Sequence, residues 1–293
     1  MTDVTLGVDV SDLIARLAIV RNGEVISRGI VAANRAASIR DAARKALSSA
    51  GTPASIAIAH ASATELVPDD VRDAVAAVAP KAAVTTISAG NAAAIAEQRV
   101  GAAVGAKQLI AFSIAEHVTA GVLLDGSPWL GANGFAASVG WLAVNPVERE
   151  DYRRYGSLEA EVASAGIVRR FVWRIKSGDR SRVADHVNGD FSRINAADIL
   201  QGARSGDGVS ISVVRDTAKY IGMAVANLAT LFDPEAIVLG GIIASSGDIM
   251  LEAIKTETTR RLMPQQSERV KVLLSTLGDD AVAIGAALSV ARA

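Results

Sequence analysis

The chain contains 293 residues, of which 50% are apolar and 21% are charged, and its formal net charge at pH 7 is −1. This composition predicts a sizeable core and about two domains, excludes global disorder, and argues against a partner bound mainly through phosphate charge. With no cysteine and only three histidines, the sequence excludes disulfides, thiol nucleophiles and sulfur-ligated zinc.

The sequence shows no sign of export or membrane insertion. Its first ten residues are acidic and strand-like, unlike a signal peptide. The uncharged stretch over residues 126–147 contains two prolines and four glycines, which makes it a poor membrane helix. We therefore expect a cytoplasmic protein with no membrane partner.

The first part of the chain begins with three strands and continues with alternating helices and strands. Asn22-Gly23 lies between two alternating apolar runs and predicts a tight hairpin turn. A helix from Pro68 would bury Val71, Val75 and Val78 on one face. The predicted elements are strands over residues 4–10, 15–19, 25–31, 55–59 and 83–87, and helices over 36–49, from 68, and over 91–101.

The pattern then restarts. Asp125-Gly126 predicts a second hairpin turn, again after two strands. Further strands are predicted over residues 109–114, 118–124, 128–130, 236–239 and 270–274, with helices over 248–262 and 281–291. Between them, residues 158–231 form a helical insertion, with helices expected over 158–176, 196–205 and 209–231 and a loop over 177–195.

The order βββαβαβα thus occurs twice and predicts an α/β protein of two similar lobes with a cleft between them. The alternative is two unrelated α/β domains. We expect an N-terminal lobe over residues 1–107 and a C-terminal lobe over residues 108–293. The last helix, about residues 281–293, is a candidate to pack back on the first lobe.

Four segments resemble the ROK family, which groups sugar kinases and sugar-responsive repressors on an actin-like (ribonuclease H-like), two-lobed ATPase fold. The resemblance covers nearly the whole chain. GANGFA resembles the family's sugar-side segment GANGFAGEIGH, and DPEAIVLGG resembles its nucleotide-side strand and glycine turn. LGDDA resembles the start of its last helix, and NAAA matches the tail of its NDANAAA motif. These segments occupy residues 131–136, 233–241, 277–281 and 91–94.

The phosphate loops depart from the family pattern. The first loop, DxGGT in the family, is Asp9-Val10-Ser11-Asp12-Leu13 here. The second, about GTGVGGG in the family, is residues 115–121 here and carries Glu116. A carboxylate about 4 Å from a phosphate costs roughly 1 kcal/mol even in water. We therefore expect no bound cofactor.

The catalytic base of the family is the aspartate of NDAN, and the matching residue here is Ala89. Alanine accepts no proton, and losing a general base costs about 100- to 10,000-fold in rate. The resemblance therefore assigns no catalytic residue in this chain.

The family's structural zinc also lacks its ligands in this chain. The histidine of GEIGH is replaced by Trp141, and the family's cysteine run is replaced by residues 152–157. The sugar-binding glutamate of the same motif is Ser138 here. We expect no zinc.

Some sugar-side residues remain, and the resemblance makes them candidate ligand contacts: Asn91, Asn133, Gly134, Trp141 and Glu159. Asparagine and glutamate exchange hydrogen bonds with sugar hydroxyls, and a tryptophan offers an apolar face to a sugar ring. On the nucleotide side, Gly240 and Gly241 are weak candidates.

Each candidate also has a structural interpretation. Asn133-Gly134 forms turns without any ligand, and Glu159 suits the first turn of a helix. Trp141 would then fill the space left by the missing histidine and zinc, and Gly240-Gly241 would serve a tight turn. His117 would be a surface or satisfied histidine. The basic side chains of Arg169, Arg170, Arg174 and Lys176 would form a solvated helix face.

The first functional hypothesis is a non-catalytic member of the sugar-kinase fold that binds a sugar-like small molecule or serves a regulatory role. The alternative is an active ATP-dependent sugar kinase that uses ATP and magnesium with an atypical base such as Asp12 or Glu116. A third hypothesis is a transcriptional regulator without its DNA-binding domain, since the first strand begins near Val4. We expect no direct nucleic-acid partner, and the resemblance implies a homo-dimer.

Overall fold

The computed structural model describes residues 4–31, 35–61 and 66–291. Within these ranges the strands are β1 (Val4–Asp9), β2 (Ala15–Arg21), β3 (Glu24–Val31), β4 (Ser55–His60), β5 (Ala83–Ser88), β6 (Leu109–Ile114), β7 (Val118–Leu124), β8 (Ser127–Pro128), β9 (Ala236–Gly241) and β10 (Lys271–Leu274).

The α-helices are α1 (Ala36–Ala50), α2 (Asp69–Ala76), α3 (Ala89–Val100), α4 (Glu150–Tyr155), α5 (Ser157–Val162), α6 (Ser164–Lys176), α7 (Arg182–His186), α8 (Ala196–Arg204), α9 (Gly208–Phe232), α10 (Ile242–Ser245), α11 (Gly247–Arg261), α12 (Pro264–Ser267) and α13 (Ala281–Ser289). Within the described ranges, no helix is long and apolar enough to cross a membrane.

The first sheet has the order β3-β2-β1-β4-β5. Its central strand, β1, pairs antiparallel with β2 and parallel with β4. Asn22 and Gly23 both have positive φ, 51° and 82°, which is the geometry of the tight hairpin turn predicted at this position. The first three strands are therefore confirmed.

Helices cover this sheet with apolar side chains. Ile39 and Leu47 of α1, together with Val71 and Val75 of α2, join one buried cluster with β1. A second cluster is built from alanines, including Ala286 of α13. Because alanine side chains are small, the backbone of α13 can lie close to the strand and helix residues of this cluster.

The second sheet has the order β10-β9-β6-β7-β8. β9 pairs parallel with β10, and β7 pairs antiparallel with β8. Asp125 and Gly126 have φ values of 50° and 78°, so the second predicted hairpin turn is also confirmed.

The described residues divide into two compact units. The first unit comprises residues 1–112, 119–138 and 275–293, and the second comprises 113–118 and 139–274. The lobe boundary between residues 107 and 108 stays a prediction. The last two residues of the helix predicted over about 281–293 lie outside the described residues.

The helical insertion differs from prediction in two places. The single helix expected over 158–176 is divided at Ala163, where ψ is 161°, into α5 and α6. A Cβ on Gly166 would stand 2.4 Å from the Ala160 carbonyl oxygen, so the two helices meet backbone to backbone. The loop expected over 177–195 contains the short helix α7, which Ser181 caps by accepting a hydrogen bond from the Val183 N–H.

Candidate functional site

The predicted base position lies at the N-terminus of α3, in the first unit. Ala89 is the first residue of this helix and is buried, and Ser88 caps the helix by accepting a hydrogen bond from the Asn91 N–H at 3.4 Å. A Cβ on Gly90 would stand 1.9 Å from the Ala120 carbonyl oxygen, so α3 begins in direct backbone contact with β7. The methyl group of Ala89 offers no atom that accepts a proton.

Asn91 lies on the first turn of the same helix. It is 7% exposed, and its side-chain amide forms no hydrogen bond within the described part of the chain. An amide carries both donors and an acceptor, and the amide atoms of Asn91 keep some contact with solvent. Among the predicted ligand residues, Asn91 therefore has unused hydrogen-bonding capacity in a nearly buried position.

Asn133 and Gly134 lie in an exposed loop that follows β8 in the first unit. Gly131 and Gly134 have φ values of 71° and 77°, and Ala137 has a φ of 62°, which residues with a side chain rarely adopt. The tight turn expected as the structural interpretation of Asn133-Gly134 is thus present. The turn also leaves the Asn133 amide exposed to solvent.

Glu159 lies in the first turn of α5, in the second unit. Its Oε1 lies 3.2 Å from Nδ1 of His117, and its Oε2 accepts a hydrogen bond of 3.2 Å from the Val118 N–H. A carboxylate offers about four acceptor positions, so two remain after these contacts. The pairing of Glu159 with His117 was not predicted, because 41 intervening residues separate them in the sequence.

Trp141 is 59% exposed, so the interpretation of its indole as a space-filling core residue is wrong. The space beside it is closed by backbone instead. Gly156 has a φ of 93°, and a Cβ there would stand 2.3 Å from the Gly140 carbonyl oxygen and 2.9 Å from the Trp141 Cα. Packing of two glycines leaves the Trp141 ring at the surface, where it can offer a face to a ligand.

Gly240 and Gly241 end β9. Gly241 has a φ of 63°, and a Cβ there would stand 2.0 Å from the Ile114 carbonyl oxygen. A Cβ on Gly240 would stand 3.1 Å from Oγ of Ser113. The backbone contact therefore requires glycine at position 241, whereas a Cβ at position 240 would need only a small shift of the Ser113 side chain.

In the loop after β1, two aspartates accept hydrogen bonds from backbone N–H groups of the same loop. Oδ1 of Asp9 accepts hydrogen bonds from the N–H of Ser11 at 2.9 Å and from its hydroxyl at 2.6 Å. Oδ1 of Asp12 accepts from the Leu13 N–H at 2.6 Å. Burial raises the pKa of Asp9 to about 6, opposed by the Ser11 hydrogen bonds and by Arg16.

A buried polar cluster in the second unit was missed by the sequence analysis. Glu161 accepts a hydrogen bond from the Tyr152 hydroxyl and another from Arg149 at 3.2 Å. Burial and this hydrogen bond raise the pKa of Tyr152 to about 12. Asp151 forms ion pairs with Arg149 and Arg169. These contacts join α4 and Arg149, which precedes it, to α5 and α6, and no spacing in the sequence indicates them.

The residues at the family's zinc positions do not suit that metal. Trp141 and the segment Tyr152–Ser157 offer neither a thiolate nor an imidazole, which are the ligands that structural zinc requires. Within the described ranges, no three histidine, aspartate or glutamate side chains are grouped to hold a metal ion.

Comparison with known proteins identifies the family. The model of the ROK family matches residues 72–293. The chain is 31% identical over 200 residues to a glucokinase of Halalkalibacterium halodurans, covering 67% of this chain and 59% of that protein. It is 28% identical over 201 residues to the DNA-binding transcriptional dual regulator NagC of Escherichia coli, covering 68% of this chain and 48% of that protein.

Among solved structures, a ROK family glucokinase from Streptomyces griseus in complex with glucose and AMPPNP superposes with a TM-score of 0.79. It is 26% identical, and the match covers 99% of each chain. The α/β fold with two five-stranded sheets is the actin-like sugar-kinase fold, as predicted. This chain belongs to the ROK family. It spans about half to three fifths of the length of the two curated relatives named above.

Proposed function

We propose that this protein binds a sugar-like small molecule without transferring phosphate, and that it acts as a regulatory member of the ROK family. The observation that carries the proposal is Ala89 at the N-terminus of α3. No aspartate or glutamate occurs between Asp73 and Glu97, so this helix terminus supplies no carboxylate of its own. Without a general base, a sugar hydroxyl is a weak nucleophile toward phosphate.

The loop after β1 supports the absence of phosphoryl transfer. Phosphate loops bind through backbone N–H groups that have no acceptor within the protein. Here the Val10 N–H donates to the Ala59 carbonyl oxygen at 3.0 Å, while the N–H groups of Ser11 and Leu13 donate to aspartates. A triphosphate at this loop would meet two carboxylates and N–H groups that are already bonded.

The sugar side supports ligand binding. In the first unit, the Asn91 amide has no hydrogen bond to a described residue, and Asn133 is exposed. In the second unit, Glu159 keeps two acceptor positions, and Trp141 is exposed. We propose Asn91 and Asn133 as ligand contacts of the first unit, and Trp141 and Glu159 as ligand contacts of the second. ATP and magnesium would be needed only if the protein is a kinase, and the homo-dimer implied by the resemblance stays a prediction.

Titration calorimetry with glucose, xylose, N-acetylglucosamine and N-acetylmannosamine tests the proposal, alongside a coupled assay for ADP release with each sugar. We expect heat of binding for at least one sugar and no ADP release above background, with the Streptomyces glucokinase as the active control. Asn91→Ala should weaken sugar binding about tenfold, because it removes direct hydrogen bonds. Gln201→Ala, which removes an exposed amide from α8, is the matched control.

Two results separate the parts of the proposal. ADP release in proportion to an added sugar would show a kinase and overturn the non-catalytic part. An absence of heat with every sugar, from protein that unfolds cooperatively, would overturn the ligand-binding part.

A further inference from the structure

The second unit contains a cavity of about 840 Å³ that no sugar-site residue lines. Its walls come from the segment before α4 and from α5, α6, α9 and α11. This volume lies in the range of pockets that hold small ligands. Three carboxylates and six cationic side chains line the cavity. The cations are Arg149, Arg169, Arg170, Arg174, Lys219 and Arg261.

Helix periodicity places the cations on shared faces. Arg169, Arg170, Trp173 and Arg174 follow one another along one side of α6, at the spacing that keeps helical residues on one face. The interpretation of this basic run as a solvated face is wrong for Arg170, whose side chain is 17% exposed. Lys176, which does not line the cavity, is exposed as expected.

Several arginine groups are held by protein carboxylates. Nε and Nη2 of Arg261 both lie 2.6 Å from Glu257, and Nε of Arg174 donates to Asp179 at 2.6 Å. These contacts fix the directions of the guanidinium groups.

Other arginine groups remain unbonded. Nε of Arg170 is buried, has no hydrogen-bond partner among the described residues, and lies 3.7 Å from Glu161. Nη1 of Arg170 and Nη2 of Arg174 likewise make no hydrogen bond to any residue that the structure describes. A guanidinium with unbonded N–H groups in a concave site is suited to bind an anion through charge-assisted hydrogen bonds.

The cavity also offers apolar surface next to these cations. Trp173 is 68% exposed at its edge, and Tyr220 and Met223 line the α9 wall. The Arg170 guanidinium lies 5.8 Å from the centre of the Tyr220 ring, a stacking arrangement that holds it in place. A ligand with a charged end and a ring would fit both kinds of surface.

We propose that this cavity binds a small organic anion, a phosphate ester or carboxylate with an aromatic or apolar body. Arg170 and Arg174 bind the anionic oxygens, and Trp173 and Tyr220 contact the body. The site goes beyond the proposed sugar site but shares a helix with it. Glu161 lines the cavity from α5, while Glu159 on the same helix contacts His117.

Calorimetry with three matched probes tests the proposal: phenyl phosphate, benzoate and phenol. The two anions distinguish phosphate from carboxylate chemistry, and the neutral phenol reports the apolar contact alone. We expect at least one anion to bind and phenol to bind much more weakly. Arg174→Gln should weaken anion binding about tenfold or more, and Trp173→Ala should also weaken it. Lys176→Gln makes the same charge change on α6 outside the cavity and should leave binding unchanged.

Three outcomes would overturn the proposal. The first is an absence of anion binding at millimolar concentration, and the second is an equal loss from Lys176→Gln and Arg174→Gln. The third is self-association, measured by analytical ultracentrifugation, that Trp173→Ala abolishes, since this face would then be a contact between copies. None of these probes is a sugar, so the outcome is independent of the sugar-binding experiments.

Discussion

Asp9 ends the central strand of the first sheet as a buried carboxyl group. Its pKa is raised to about 6 because burial disfavours the charged form more than Ser11 and Arg16 favour it. The folded state therefore holds the Asp9 proton more tightly than the unfolded state, whose ordinary value is 3.8. As the pH rises from about 4 to above 6, Asp9 loses its proton in the folded state and the free energy of unfolding falls.

We expect Asp9→Asn to increase the free energy of unfolding at pH 8 by about 3 kcal/mol, because an amide accepts the Ser11 hydrogen bonds without buried charge. At pH 4 the difference should be close to zero. Urea denaturation at both pH values measures this. Asp41→Asn, which removes an exposed carboxylate, is the control. A stabilisation that is the same at pH 4 and pH 8 would contradict the assignment.

The surroundings of two residues cannot be predicted from the neighbouring sequence. The local sequence suggests that Trp141 fills a space and that Arg170 belongs to a solvated face. The structure reverses both interpretations, because the surroundings of each residue come from distant parts of the chain. Gly156 closes the space beside Trp141, and Glu161 and Tyr220 surround Arg170.

At the scale of elements, α4, α5 and α6 are short helices joined by polar side chains. The Tyr152 hydroxyl donates to Glu161, and Glu161 is almost fully buried. The Arg149 guanidinium forms an ion pair with the Glu161 carboxylate and lies 5.2 Å from the centre of the Tyr152 ring. A buried carboxylate is stable only while its partners remain, so this cluster fixes how α4 meets α5.

Tyr152→Phe should lower the free energy of unfolding by about 1–3 kcal/mol, because the buried carboxylate of Glu161 loses one of its donors. Tyr155→Phe changes an exposed tyrosine of the same helix and should have a much smaller effect. Urea denaturation midpoints measure both variants. Equal effects from the two substitutions would mean that the hydroxyl of Tyr152 contributes nothing specific.

Strands and hairpins were predictable because their signals are local. The turns at Asn22-Gly23 and Asp125-Gly126 have positive φ at both positions, and asparagine, aspartate and glycine are the residues that favour this conformation. The break at Ala163 was not predictable, because neither glycine nor proline occurs there and the helix ends through contact between α5 and α6. Surviving motif residues such as Asn91 and Glu159 could be named as candidates from the sequence, and their role as ligand contacts stays a prediction. The contact of His117 with Glu159 could not be predicted, because the two residues are remote in the sequence.

At the scale of the whole chain, the last helix completes the first unit. A Cβ on Gly285 of α13 would stand 1.7 Å from the Ala92 carbonyl oxygen, so α13 and α3 touch through their backbones. Thr5 in β1 donates to the Ala287 carbonyl oxygen at 2.9 Å, and Arg99 donates to that of Leu288 at 2.8 Å. The core of the first unit therefore contains residues from both ends of the sequence.

A chain that stops after Leu277 should lose the cooperative fold of the first unit. Hydrogen exchange measured by mass spectrometry should show loss of protection in β1 and α3, while α9 in the second unit keeps its protection and serves as the internal control. Adding residues 278–293 as a separate peptide should restore part of the protection. Full protection of β1 in the shortened chain would contradict this role of α13.

The position of α13 also has a consequence for synthesis. A ribosome makes β1 long before α13, because most of this sequence lies between them, and domains otherwise tend to fold in the order in which they are made. The faces of β1 and α3 that α13 covers therefore stay open while the intervening residues are made. Apolar surface that is exposed during this interval is prone to aggregation.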